Sequence, residues 1–387
     1  MNSAAVIPYG RQHIDQDDID AVVSVLQSDY LTQGPVVPAF ESAVAQKCQA
    51  KHAVAVNSAT SALHIACLAL GVGPGDLVWT TPISFVASAN CALYCGAEVD
   101  FVDIDPLTWN LNPERLKEKL VQARQAGRLP KVVIPVHLCG LPCDMVSIHA
   151  LAQEFGFKVI EDASHAVGAS YMGQPVGNCA YSDITVFSFH PVKIITSAEG
   201  GMALTNDPEL SKRMSLLRSH GITRDPDQMV QKDEGPWYYE QLELGWNYRM
   251  TEIQAALGLS QLRKLDEFIQ GRTYLAKRYD EMLADFPLQK PISGAHSASS
   301  HHLYVVRVSA QKRRTIFEGM RSQGIGVNVH YMPIYQQPYY RARSVRTDNF
   351  PEAEKYYRET ISLPLFPDLL LVHQSHICDV LEHLLHH

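Results

Sequence analysis

One lysine is placed to do chemistry. Lys193 follows an apolar, β-branched run, Ile184 to Phe189, which reads as a buried strand. The run ends at His190-Pro191, because proline cannot donate to a sheet ladder. After Lys193 come Glu199-Gly200-Gly201 and a second apolar run, Met202 to Leu204. A lysine on a turn between two buried strands, beside glycines that admit a close backbone, is placed to form a Schiff base. Its ammonium must first lose a proton, and desolvation beside other cations achieves that. The alternative is a surface lysine on a loop.

Other residues could serve the same chemistry. Asn57-Ser58-Ala59-Thr60-Ser61-Ala62 stands where a strand turns into a helix. Free N–H groups, the helix dipole and the hydroxyls of Thr60 and Ser61 would make an anion site there. A plain N-cap is the other reading. Asp162 ends the buried run Phe157 to Glu161 and needs a cationic partner, since an unpaired buried charge is costly. A protonated pyridine nitrogen would supply one and would be kept cationic by the pairing; an internal salt bridge would also do. His165 is a packed helical histidine or a donor to a ring oxygen. Ser188 is a phosphate ligand or a small core residue, and Phe85 stacks on a planar ring or belongs to the core. Gly71-Val72-Gly73-Pro74-Gly75 is a decoy: it follows a helix and precedes a strand, the reverse of a dinucleotide fingerprint.

The elements that must position these residues alternate. Helices are expected at 15–27 and 37–48, and a strand at 53–56. Then follow helix 59–70, strand 77–80, helix 84–95, strand 98–104, helix 113–126 and strand 131–137. Helix 145–155, capped by Asp144, leads into strand 157–161. Repeated strand–helix units imply an α/β fold with parallel strands and helices on both faces, and sites at the carboxyl ends of strands. Asp207-Pro208 opens a further helix to about residue 218. Residues 221–247 read as a long functional loop. Thr251-Glu252-Ile253-Gln254 is a capping box that opens one long helical stretch. That stretch carries the chain into a smaller C-terminal α/β domain, with strands at 303–308 and 325–329.

At 387 residues the chain is long for one core and suggests two domains. With 33 basic and 41 acidic residues, a net charge of −8 and no dense Lys/Arg run, a nucleic-acid partner is not expected. The N-terminus shows no signal-peptide pattern, and no run approaches the ~20 apolar residues of a spanning helix. Eight cysteines are scattered without zinc-site spacing, so reduced thiols in a cytoplasmic protein are expected, and no metal.

Taken together, Asn57–Ala62, Glu161-Asp162-Ala163-Ser164-His165, Phe187–Lys193, Ala198–Gly201 and Gly245-Trp246-Asn247-Tyr248-Arg249 resemble the DegT/DnrJ/EryC1/StrS family of PLP-dependent sugar-nucleotide aminotransferases. The likeness spans nearly the whole chain. It implies an aspartate-aminotransferase-like large domain (PLP fold type I) with a mostly parallel sheet over 1–255, including an arm at 1–35, and a small domain over 256–387. Pyridoxal 5'-phosphate is the implied cofactor. Lys193 would be its Schiff-base lysine, Asp162 the partner of its ring nitrogen and His165 a catalytic neighbour. Ala59, Thr60, Ser61 and Ser188 would hold its phosphate, Phe85 would lie against its ring, and Asn247 would reach in from the other subunit of a homodimer.

Within the family, Tyr30–Gly34, Thr80–Phe85 and Val329–Tyr335 resemble the branch serving pseudaminic acid biosynthesis. That likeness implies transfer of an amino group from L-glutamate to C4 of a UDP-linked 4-keto-6-deoxy-N-acetylhexosamine. Implied substrate contacts are Tyr9, Asp29, Tyr30, Leu31, Thr32, Asn328, Val329, His330 and Tyr331. Two departures stand out: His165 replaces the Gln of many members, and Ile194 follows the lysine where Pro or Asn is common. Another nucleotide-linked 4-keto sugar is the alternative substrate. A PLP-dependent sugar dehydratase would resemble this chain with His in place of Lys193, and a non-catalytic regulator should have lost Asp162 or Lys193.

Overall fold

The computed structural model describes residues 6–231, 235–294, 296–343 and 349–386. Its centre is a seven-stranded sheet. In chain order the strands are β1 (His52–Val56), β2 (Leu77–Thr80), β3 (Glu98–Phe101), β4 (Val132–Ile134), β5 (Lys158–Asp162), β6 (Ile184–Ser188) and β7 (Gly201–Thr205). They lie side by side as β1-β7-β6-β5-β4-β2-β3. Every neighbouring pair is parallel except those of β7, which runs against both β1 and β6.

Strand residues alternate between faces, and each face buries its own set. Val54, Val56, Val78, Val132, Ile134, Ile160, Val186 and Ala203 join one core cluster. It is completed by helices α3 (Ala59–Ala69), α4 (Ala87–Tyr94) and α7 (Pro208–Leu217). The intervening Trp79, Val133 and Val159 pack instead with α5 (Pro113–Gln125) and α6 (Met145–Phe155). Ala55, Phe187, Met202 and Leu204 pack with α2 (Val36–Cys48) and α8 (Glu252–Arg263), and α1 (Gln16–Leu26) lies against α8. Helices on both faces match the expectation from sequence.

Local chemistry sets the helix starts. Asp144 and Asp207 accept from N–H groups of α6 and α7, and Pro208 occupies the first turn of α7. Thr251 and Gln254 form the expected capping box of α8. Helix α2, headed by Pro35 with no side-chain cap, is capped from a distance: the buried Glu252 carboxylate takes the N–H of Val36 at 2.6 Å and of Val37 at 3.2 Å.

Three expectations are corrected. The helical stretch after Thr251 is two helices, α8 and α9 (Leu265–Met282), broken at Lys264, whose φ of −95° and ψ of 0° end the α-helical run. Residues 325–329 form two isolated bridges, Ile325 to Ile7 and Asn328 to Ser362, rather than a strand. Helix α4 starts at Ala87, so Phe85 lies in the bend before it. Tyr304–Arg307, within the expected 303–308, pairs antiparallel with Thr360–Leu363. Among its described residues, which exclude 232–234, the long segment 221–247 carries the two-residue ladder of Ile222–Thr223 with Glu240–Gln241 and a bridge from Asn247 to Ser219. All eight cysteines are free and buried.

Candidate active site

Strands β1, β5 and β6 end at one cavity of about 700 Å³. Its wall includes Ala59, Thr60, Phe85, Asp162, His165, Ser188 and Lys193, together with Tyr9, Asn328, Val329, His330 and Tyr331. These residues, from six separate stretches more than 320 positions apart at the extremes, thus converge where an α/β sheet presents its strand ends.

The N-terminus of α3 forms one side. Ser58, in extended backbone, caps the helix by accepting from the Ser61 N–H at 3.1 Å. Close packing behind this turn depends on Gly201: a Cβ there would come within 2.5 Å of the Ala59 nitrogen and the Ser58 carbonyl. Ser58, Ala59 and Thr60 line the cavity, whereas the Ser61 hydroxyl donates to Asn57 Oδ1 at 2.6 Å and is not part of the wall.

Asp162 is the last residue of β5 and is 4% exposed. Its Oδ2 accepts from Ser88 Oγ, and its Oδ1 from Ser164 Oγ, each at 2.6 Å. The Ser164 N–H adds a longer bond at 3.2 Å. Among the described residues it forms no ion pair, so the internal salt bridge considered from sequence is not made. Ser88, buried within α4, was missed because Ala-Ser-Ala in a helical run carries no signal of a carboxylate partner.

Lys193 sits on the loop between β6 and β7, half-buried, with its N–H bonded to the His190 carbonyl at 2.8 Å. Burial lowers its pKa to about 8, against the upward pull of the Asp162 charge. Among the described residues it is the only lysine or arginine in the wall. The nearby imidazoles do not compensate. His165 is pushed well below the ordinary range by burial, Lys193 and His330, and His330 falls to about 4 through burial and Lys193. Hydrogen bonds agree for His165: the Cys139 N–H donates to Nδ1 at 3.3 Å, so the ring proton sits on Nε2, 3.1 Å from Tyr331 Oη. Burial raises the Tyr331 phenol further, keeping it protonated.

Other sequence-derived positions lie apart from this cavity. Asp29, Tyr30, Leu31 and Thr32 are exposed and outside the wall, and Thr32 bridges to Thr251. Asn247 is exposed, and its carbonyl lies 3.5 Å from Asn57 Nδ2. The wall also holds His302, which sequence reasoning did not single out.

These residues fit pyridoxal phosphate. A buried carboxylate held only by hydroxyls and a backbone N–H has room for a cationic ring nitrogen. A helix N-terminus with bare N–H groups suits a phosphate, and a lysine of lowered pKa stands on the same cavity. Among the described residues no group of three or more His, Cys, Asp or Glu could hold a metal ion, and no helix is long and apolar enough to cross a membrane.

Residues 12–382 match the model of the DegT/DnrJ/EryC1/StrS aminotransferase family, and the chain belongs to that family of transaminases. Among its relatives is the UDP-4-amino-4,6-dideoxy-N-acetyl-beta-L-altrosamine transaminase of Campylobacter jejuni subsp. jejuni serotype O:23/36, 36% identical over 97% of this chain and 96% of that protein. The spore coat polysaccharide biosynthesis protein SpsC of Bacillus subtilis is 38% identical over 94% of this chain and 93% of its own length. In three dimensions the chain is similar to Helicobacter pylori PseC, an aminotransferase involved in biosynthesis of pseudoaminic acid. The TM-score is 0.90 with 34% identity, covering 98% of this chain and 99% of that one. Spr1654 of Streptococcus pneumoniae, a putative sugar aminotransferase solved in its PLP form, gives 0.89 with 29% identity over 98% and 99%.

Proposed function

We propose that this transaminase moves an amino group from L-glutamate to C4 of a UDP-linked 4-keto-6-deoxy-N-acetylhexosamine, making UDP-4-amino-4,6-dideoxy-N-acetyl-β-L-altrosamine for pseudaminic acid biosynthesis. The observation that carries the reading is the pairing of a lysine of lowered pKa with a buried, cation-free carboxylate in one cavity. The named Campylobacter and Helicobacter relatives support the choice of sugar.

Pyridoxal phosphate, when bound, supplies the electron sink that amino transfer needs. The chain's own groups would do the rest. Asp162, oriented by Ser88 and Ser164, would hold the ring nitrogen protonated. The α3 N–H groups with Thr60 and Ser188 would hold the phosphate, with Asn247 of a second subunit completing the grip; Ser61 would then act by bracing Asn57. Phe85 would cover the ring, and His165 Nε2–H would face the ring oxygen. Lys193 Nζ, able to shed its proton near pH 8, would take and return the proton moved during transfer. Tyr9, Asn328, Val329, His330 and Tyr331 would meet the sugar nucleotide, and Asp29 to Thr32 would do so from the exposed edge. Residues 1–255 would form the larger domain and 256–387 the smaller. The eight free buried cysteines support a reducing compartment such as the cytoplasm.

The test is a mass-spectrometric product assay with glutamate against a panel of UDP-linked 4-keto sugars. Amination of the altrosamine precursor above the others is the expected result. Preferential amination of a different 4-keto sugar would replace the substrate, and no amination of any would overturn the reading.

A further inference from the structure

Most imidazoles in the cavity wall have partners. His165 takes the Cys139 N–H and faces Tyr331, while His330 lies 2.7 Å from Ser362 Oγ and 3.3 Å from Asn328 Nδ2. His302 is the exception. It is 3% exposed, its Nδ1 is buried without a hydrogen bond, and its Nε2 has none among the described residues. The ring is nevertheless held in place. Its centroid lies 4.4 Å from that of His165, at a 45° tilt. Its backbone N–H donates to the Cys139 carbonyl at 3.0 Å, so Cys139 grips both histidines. The buried Arg272 donates to the carbonyls of His301, His302 and Leu365. Ser300 Oγ donates to the His165 carbonyl at 2.8 Å, and Gly140 (φ 94°) admits this approach, since a Cβ there would come within 2.9 Å of that carbonyl.

Burying Nδ1 without a partner costs free energy, whereas Nε2, unpaired but not closed off, opens on the cavity. An unpaired ring nitrogen that stays accessible at a cavity wall is available to a ligand, and here that nitrogen is Nε2. We propose that His302 is a binding residue of this site, donating a ring N–H hydrogen bond to an oxygen of a bound molecule: the ring oxygen of the cofactor or a hydroxyl of the sugar. A carboxylate of the amino donor is disfavoured. Burial, with His165, Lys193, Arg272 and His330 nearby, keeps this ring uncharged, and a buried carboxylate calls for a cation. The identity of the two ligands rests on the function proposed above; the need for a partner does not.

The test compares wild type with His302→Phe, which keeps an aromatic plate against His165, and His302→Gln, which restores a donor. Apo protein is titrated with pyridoxal phosphate and with its analogue lacking the 3-hydroxyl; loaded protein is titrated with the UDP-4-amino sugar product. Melting curves report folding, and His302→Met replaces the phenylalanine variant if that one does not fold. The expected result is binding weakened about tenfold, roughly 1.4 kcal/mol, and partly recovered in His302→Gln. Loss for pyridoxal phosphate but not for its analogue assigns the partner as the ring oxygen. Unchanged cofactor binding with weakened product binding assigns it as the sugar. Unchanged binding of both, or equal loss for cofactor and analogue, would overturn the proposal. Wild-type protein that binds neither ligand would overturn the proposed function along with it.

Discussion

Glu161 and Asp162 are consecutive residues of one strand, both buried, and they face opposite ways with opposite fates. Glu161 is closed by its own chain. His137 Nε2 lies 2.8 Å from Oε2, while Ser182 and Thr185 hydroxyls donate to Oε1 at 2.5 and 3.1 Å. Burial alone would raise its pKa, but those partners outweigh it and hold the carboxyl below its usual range. Asp162 has hydroxyls and one backbone N–H, opens on the cavity, and forms no ion pair among the described residues. A carboxylate completed internally belongs to the fold, and one left incomplete beside a cavity is available to a ligand.

That contrast predicts a crossed result. Asp162→Asn should cut kcat/KM by about 10²–10⁴-fold, the usual weight of a group governing proton movement, with an almost unchanged melting temperature. Glu161→Gln should lower stability by about 1–3 kcal/mol, the cost of a disturbed buried hydrogen-bond set, while activity per folded molecule stays near wild type. Because the folded-state pKa of Glu161 is depressed, its contribution is present above the ordinary glutamate pKa and is lost as pH falls through the lower folded value. The stability gap between wild type and Glu161→Gln should therefore narrow on acidification. Thermal melting over a pH series, alongside kinetics, would break the comparison if both variants lost stability and activity alike.

The cavity side of the contrast extends across chains if Asn247 acts in a neighbour's site. Lys193→Ala and Asn247→Ala chains should each be nearly inactive, and their mixed dimers should regain activity, because one of two sites then holds both wild-type residues. Verified heterodimers without that gain would put Asn247 in its own chain's site or outside any site.

A smaller effect separates the two carboxylates by charge alone. Asp162 pulls the Lys193 pKa upward against burial, and Glu161 does not figure among its influences. Cofactor-free protein should therefore react with an amine-directed label at Lys193 with a pH midpoint near 8. Asp162→Asn should move that midpoint lower, and Glu161→Gln should leave it in place. Label uptake at the Lys193 peptide, followed by mass spectrometry across pH, reads the midpoint directly; an upward move in Asp162→Asn would contradict the assigned electrostatics.

Much of this was legible in the sequence because it is local. Asp144, Asp207-Pro208 and Thr251 announced helix starts, and Asp162, Ser188 and Lys193 could be placed because a strand and its exit are visible within ten residues. What escaped depends on distance. Nothing near Ser88 reveals that it will meet Asp162, 74 positions on. His302 sits beside a strand signal, yet its neighbour His165 is 137 residues away. Antiparallel β7 escaped as well, since alternation of apolar residues encodes burial but not direction. The run 325–329 looked like a strand for its apolar content, but its partners are single residues, Ile7 and Ser362.

The smallest expected effect concerns Tyr331 and His330, which face the cavity from the C-terminal part of the chain. The family likeness placed them among substrate contacts, and the geometry gives each an internal partner: Tyr331 Oη meets His165, and His330 meets Ser362. Neither contact engages an anion, and both rings are uncharged near neutrality, so they suit hydroxyls of a sugar better than glutamate carboxylates. Tyr331→Phe or His330→Ala should weaken kcat/KM for the sugar by about 1–3 kcal/mol, the loss expected when a buried partner goes unpaired. The glutamate half-reaction never meets the nucleotide and should be nearly unchanged. For Tyr331→Phe the packing persists, so a fall confined to the sugar half-reaction would mark recognition. Equal falls in both half-reactions would show that Tyr331 acts through His165 and the cofactor, moving it to the Asp162 side of the comparison.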